Sequence, residues 1–136
     1  MSDWNQQIIE EFRHNNGQVG GVFEGSPLLL LHHAGAKTGT ERVTPLMYQA
    51  VDDGYAVFAS AAGADSNPDW YHNLKANPGA AVEVGGGNFD VVAREAKDEE
   101  YRRIWEKQKA AYPTFADYEQ KTARDRIPVM VLETNN

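Results

Sequence analysis

Cysteine is absent from the 136 residues, which excludes disulfides, thiolate nucleophiles, iron–sulfur ligation and cysteine-based zinc sites. Basic residues are the minority, 13 Lys and Arg against 20 Asp and Glu for a formal net charge of -7. The overall field therefore repels nucleic acid and anionic lipid. No apolar run approaches the roughly 18 residues of a membrane helix, and the first dozen residues lack both the basic flank and the apolar stretch of a secretory signal. Repeats and low-complexity tracts are missing too. These absences predict a single cytoplasmic domain over 1–136, without nucleic-acid partner or stable membrane insertion, that folds without a covalent staple.

What is present alternates between short strands and helices. Ser2 or Asp3 caps a first helix in which Trp4, Ile8 and Phe12 form one apolar stripe. The Gly- and Asn-rich stretch that follows reads as a loop, so 1–27 is helix plus loop and 28–133 is the body of the domain. "LLLLHHA", "ERVTPLMYQAV", "GYAVFAS", "AAVEV", "NFDVVARE" and "RIPVMVLE" read as strands. Gly85-Gly86-Gly87 marks a hairpin, and Pro128 favours a strand start or edge. Asn67 caps a helix over 68–76, with Pro68 in its first position. Asp98 caps a second helix, whose Tyr101, Ile104, Trp105, Gln108 and Tyr112 share a mostly apolar face. A third covers Phe115 to Arg124. Six strands joined largely by hairpins, with three or four helices, predict an antiparallel α+β domain closed into a barrel.

"HHAGAKTGTERVTPL" places Lys37 and Arg42 in a small-residue turn of an acidic chain. The stretch lacks the glycine spacing and following helix of a nucleoside-triphosphate loop. A hairpin turn with backbone N–H groups, Lys37, Thr38 and Arg42 suits a phosphate or carboxylate; a solvated surface pair is the alternative. His32 and His33 leave opposite faces of a strand and cannot share a metal, so no metal site is expected. No G-x-S-x-G elbow exists around Ser60. The small residues from Ala59 to Gly63 allow either a flat ligand or a helix to lie against the backbone, and Trp70 and Tyr71 suit either a ligand wall or the core.

"AGAKTGTERVTPL", "FASAAGADSNPDWYHNLKANP" and "AAYPTFADYEQKTARDRIPVMVLE" together resemble the deazaflavin-dependent nitroreductase family, split β-barrel oxidoreductases that use coenzyme F420. The resemblance spans about Leu28 to Glu133 and implies an antiparallel split barrel with peripheral helices. It also implies that Lys37, Thr38 and Arg42 receive the cofactor's phosphate and acidic tail. Pro45, Leu46 and Met47, with Phe58, Ala59, Ser60 and Ala61, then approach the ring system. Trp70, Tyr71 and Asn73 border the cofactor, and Tyr112, Phe115 and Tyr118 cover the substrate side, Trp70 also facing substrate. Phe115 stands where a hydroxyl-bearing ring is common.

A deazaflavin donates hydride, and the protein orients donor and acceptor. The implied reaction reduces an electron-poor acceptor such as an enone, unsaturated lactone, quinone or nitroarene. Ser60 hydrogen-bonds the ring or developing anion, with Tyr112 or Tyr118 as proton source. Ala36 and Ala61 stand where the family commonly has further cations. That leaves as alternatives an FMN-dependent split-barrel oxidoreductase, or a non-catalytic carrier of an apolar or haem-like ligand. Pairing of two copies through their sheets into a homodimer is a further expectation.

Overall fold

Strand β1 (Leu28–Ala34) opens with four buried leucines in a row. Because successive side chains leave a strand on opposite faces, such a run needs cover on both. Leu29 and Leu31 join Val57, Val82, Val91, Met130 and Leu132 inside a barrel. Leu28 and Leu30 pack instead against Ile8, Ile9 and Phe12 of helix α1 (Asp3–His14), laid on the outside. At roughly 1.5–3 kcal/mol for each fully buried leucine, β1 contributes heavily to the fold.

The computed structural model describes residues 3–15, 28–51, 54–60, 63, 66–85, 87–123 and 126–134. The loop expected over 16–27, Ala61, the Trp4 side chain and the capping role of Ser2 lie outside what is described. β1 is followed by β2 (Glu41–Val51), β3 (Gly54–Phe58), β4 (Gly79–Val84), β5 (Gly87–Glu95) and β6 (Val129–Thr134). All pairings are antiparallel, and the order β1-β2-β3-β6-β5-β4 closes on itself. Pro128 thus precedes a strand start, as expected, and closure leaves that strand paired on both sides. No helix among the described residues is long and apolar enough to cross a membrane.

The remaining helices dress the barrel unevenly. α2 (Asp69–Ala76) sends Trp70 and Leu74 into the barrel's interior cluster. α3 (Asp98–Ala111) and α4 (Thr114–Lys121) cover Ala56, Phe58, Val129 and Val131 through Ile104, Trp105 and Phe115. Two expected caps sit one residue off. Pro68, not Asn67, occupies the N-cap of α2, and Lys97, not Asp98, that of α3; neither has a side-chain capping bond. The last helix ends at Lys121, short of Arg124. At Gly63, with φ +82, an added Cβ would lie 3.2 Å from the Tyr118 Cα and 3.1 Å from Lys121. The glycine there lets α4 approach, so helix packing rather than a ligand accounts for that small residue.

Candidate active site

The turn between β1 and β2 is held from within and from α2. Gly39 donates to the Gly35 carbonyl at 2.8 Å, and Gly35 to that of Thr40 at 2.9 Å. Gly39 has φ +72, a conformation that favours glycine. Asn73, 7% exposed, accepts from the Ala36 N–H at 2.9 Å. From the end of the same helix, Asn77 donates to the carbonyls of Ala34 and Gly35 at 3.4 and 3.5 Å. Asn73 and Asn77 therefore clamp the turn to α2.

A second link runs through His33, which is 4% exposed on the same strand face as Leu29 and Leu31. Burial first, then the charges of Arg42 and His32, push its pKa down to about 4, with Asp69 opposing. The ring is neutral at pH 7. Its Nδ1 lies 3.0 Å from the Asn73 Nδ2 donor, so Nδ1 accepts and the proton sits on Nε2. Nε2 then donates to the Thr44 hydroxyl at 2.9 Å. The chain Ala36–Asn73–His33–Thr44 fixes turn, helix and β2 to one another.

Against this closed network the turn's outer groups are open. Among the described residues, the N–H groups of Lys37 and Thr38 have no partner, and neither the Lys37 ammonium nor the Arg42 guanidinium has a carboxylate. The Thr38 hydroxyl accepts from Thr40 N–H at 3.2 Å and keeps its own hydrogen to donate. Elsewhere carboxylates are taken up: Glu83 by Arg13 and His32, Glu95 by Lys75 and Tyr71. Two N–H groups, a hydroxyl and two cations within six residues are the donor types that an oxyanion requires.

Beyond the turn, β2 runs along the barrel wall. Its outward residues are only half-buried, and Met47 packs both on the α1 cluster and on the α3–α4 cluster. The second of these clusters brings together Phe58, Tyr112, Phe115 and Tyr118. Phe58 stacks edge-on to Phe115 at 5.5 Å, and Phe115 to Tyr118 at 5.5 Å. Met47, Tyr112 and Tyr118 thus pack, half-buried, against the same cluster on one side of the barrel.

Several expected cofactor neighbours have other occupations. The side chains of Phe58, Ala59 and Phe115 are buried packing residues, and Trp70, 6% exposed, belongs to the barrel interior. Leu46 packs on that same interior. Pro45 and Ser60 are half-buried, with the Ser60 carbonyl accepting from Gly63 at 2.8 Å. The Tyr71 hydroxyl donates to Glu95 at 2.9 Å, beside Lys75. Burial raises the Tyr71 pKa, and the bond to Glu95 adds to it. Burial pushes Glu95 up, but Lys75 and Tyr71 outweigh it and leave the carboxyl below its usual range. Tyr71 is therefore engaged with β5 on a side of α2 different from the one Asn73 presents to the turn. No group of three or more potential metal ligands exists among the described residues.

His33 escaped the reading of the sequence as a site residue, although its parity with Leu29 and Leu31 marks it as inward. Gln49 escaped it altogether. Its amide donates to the Ile104 carbonyl at 3.1 Å and to Gln108 at 3.2 Å.

A family model described as F420H(2)-dependent quinone reductase matches residues 4–134. An F420H(2)-dependent quinone reductase of Mycobacterium tuberculosis is 40% identical over 125 residues, covering 89% of this chain and 83% of that protein. Among solved structures, an F420-H2 dependent reductase (FDR-A) superposes with a TM-score of 0.70 and 41% identity, over 79% of this chain and 94% of that one. Another, described as a domain-swapped dimer, does so at 0.71 and 38% identity, over 96% and 98%.

Proposed function

The chain belongs to the F420H(2)-dependent quinone reductase family, and from that premise we propose that it works in the cytoplasm, reducing a quinone or a similarly electron-poor enone, lactone or nitroarene beside the outer face of β2. As a member it is an oxidoreductase that uses coenzyme F420. The open donors of the β1–β2 turn carry this reading. In a chain of net charge -7, cations left without carboxylates are suited to an anionic partner, and the cofactor's phosphate and glutamate tail supplies one. Bound there, the reduced deazaflavin supplies a hydride.

The residues divide the remaining work. Lys37, Thr38 and Arg42 hold the tail, while Asn73 and His33 keep the turn in register. Pro45 and Met47 present a largely apolar floor to the ring. The Ser60 hydroxyl supports the ring or the negative charge that develops on the acceptor. Hydride transfer to a quinone leaves a hydroquinone anion, which needs one proton for neutrality; delivery falls to Tyr112 or Tyr118, with solvent as the reservoir. Buried Phe115 has no hydroxyl and supports its neighbours by packing.

Ultraviolet-visible titration of the protein with F420, FMN and haem in parallel tests the cofactor. Binding of F420 alone, followed by anaerobic oxidation of the reduced form on adding menadione, is the expected result. A protein that binds only FMN would overturn the deazaflavin assignment, and haem binding without turnover would support a carrier. The relative described as a domain-swapped dimer supports pairing of two copies as well; sedimentation equilibrium at the mass of one 15.1 kDa chain would refute it.

A further inference from the structure

Gln108 is 2% exposed on α3, and its Nε2 has no hydrogen-bond partner among the described residues. The orientation of the amide is set by its neighbour. Gln49 gives hydrogens from Nε2 to the Ile104 carbonyl and to the Gln108 Oε1. Reversing Gln108 would set two N–H donors against each other, so its NH2 group faces away from Gln49. A buried donor in that state weakens the fold unless something else uses it.

The surroundings suggest what does. Gln108 lines a cleft of about 360 Å³ between β2 and α3, with Tyr48, Gln49, Lys107, Ala111 and Tyr112 around it. Lys107 on the rim is exposed and has no carboxylate partner among the described residues. The cleft adjoins a second, of about 420 Å³, that shares Gln49 and Lys107 and adds Arg103. Tyr112 lies one helical turn beyond Gln108, its N–H donating to the Gln108 carbonyl at 2.8 Å. Gln108, Tyr112 and Lys107 thus line one partly apolar cleft whose lining includes no carboxylate.

We propose that this cleft seats the electron acceptor and that the Gln108 amide, braced by Gln49, donates a hydrogen bond to one of the acceptor's carbonyl oxygens. The proposal rests on the reading that Tyr112 borders the acceptor. A ring with two carbonyl oxygens, as in a quinone, meets both donors: one oxygen takes the Gln108 hydrogen bond while the other faces the Tyr112 phenol. Lys107 favours the negative charge that appears on oxygen as the ring is reduced. An apolar acceptor of the same size leaves the amide unsatisfied and binds less well.

The test uses menadione as probe, with Gln108→Leu and Gln108→Glu as variants. Menadione binding to the cofactor-free protein is followed by tryptophan quenching, and KM and kcat are measured with reduced F420. Gln108→Leu removes a buried unsatisfied donor, so its melting temperature should hold or rise while menadione affinity falls about tenfold, the loss of roughly one hydrogen bond to a site built for it. KM should rise with little change in kcat, and F420 affinity should stay the same. Gln108→Glu keeps the contact to Gln49 but cannot donate when ionised, so it should bind menadione weakly at pH 8 even if the leucine variant folds poorly. Unchanged menadione affinity in either folded variant would overturn the proposal. Failure of the parent protein to bind F420 would instead strike the cofactor reading, and the quenching comparison would still decide the cleft.

Discussion

Arg94 on β5 commits its guanidinium to two carboxylates, both oxygens of Glu100 at 2.6 and 2.8 Å and Glu133 at 2.7 Å. Lys37 and Arg42, across the barrel at the β1–β2 turn, have no carboxylate among the described residues. The paired cation ties α3 and β6 to β5 and serves the fold. The unpaired ones add little to stability and keep their donors for an anion from outside. Acidic composition sharpens the contrast, because an unpaired cation in such a chain needs a local arrangement that keeps carboxylates away. Beside the turn, Glu41 is taken up by His32 at 3.1 Å.

Acid should separate the two sites most. Burial holds the His33 pKa in the folded protein at about 4, below its ordinary 6.5, so between those values the unfolded chain binds a proton that the folded one refuses. Its contribution is complete above pH 6.5 and declines as the pH falls toward 4, by up to about 3 kcal/mol. Glu100 behaves otherwise: Arg94 holds its carboxyl below the usual range, so its contribution is intact above its ordinary pKa and is lost only in stronger acid. Thermal melts from pH 4 to 7 should show an extra slope in the parent that His33→Leu removes. Equal slopes would mean that His33 is not kept neutral by the fold.

Next in size is the cofactor effect. Lys37→Ala and Arg42→Ala should each weaken F420 binding by about 1–3 kcal/mol, the range for losing a charged hydrogen bond, with the ligand-free melting temperature unchanged. A fluorescence titration against the parent measures it. Equal affinities would leave both as surface cations.

Arg94→Met should show the reverse pattern. Its stability should fall by about 1–2 kcal/mol in urea denaturation, since the network is half-exposed and partly screened, while F420 affinity stays at the parent value. Smallest is the effect of salt. Raising ionic strength should weaken F420 binding by the parent about threefold and by Lys37→Ala less, through screening of an exposed cation. An equal loss in both would place the charged contact elsewhere.

Much of the barrel is written in local patterns. Alternation gave the six strands, and the four leucines of β1 announced a strand, though not that its outer half lies beneath α1. Asn67 was read as a cap one residue early and Asp98 one residue late, because both are good capping residues beside the true N-caps, Pro68 and Lys97. The donor types of the β1–β2 turn could be read because they lie within a few residues of one another. The long-range polar contacts could not. Asn73 meets His33 across 40 positions and Gln49 meets Gln108 across 59, and periodicity carries no information about which inward polar residue finds which. Trp70 illustrates the opposite error: a residue type suited to a ligand wall is taken by the core when its helix docks over the barrel.

The clamp by Asn73 also divides three consecutive amides into two kinds. Ala36 N–H is held by a buried side chain, whereas the N–H groups of Lys37 and Thr38 have no hydrogen-bond partner among the described residues. In deuterated water the first should exchange slowly and the next two quickly, each on its own clock. Binding of an anion at the turn would then register as slowed deuterium uptake at 37 and 38 with 36 nearly constant, so the turn carries its own internal standard.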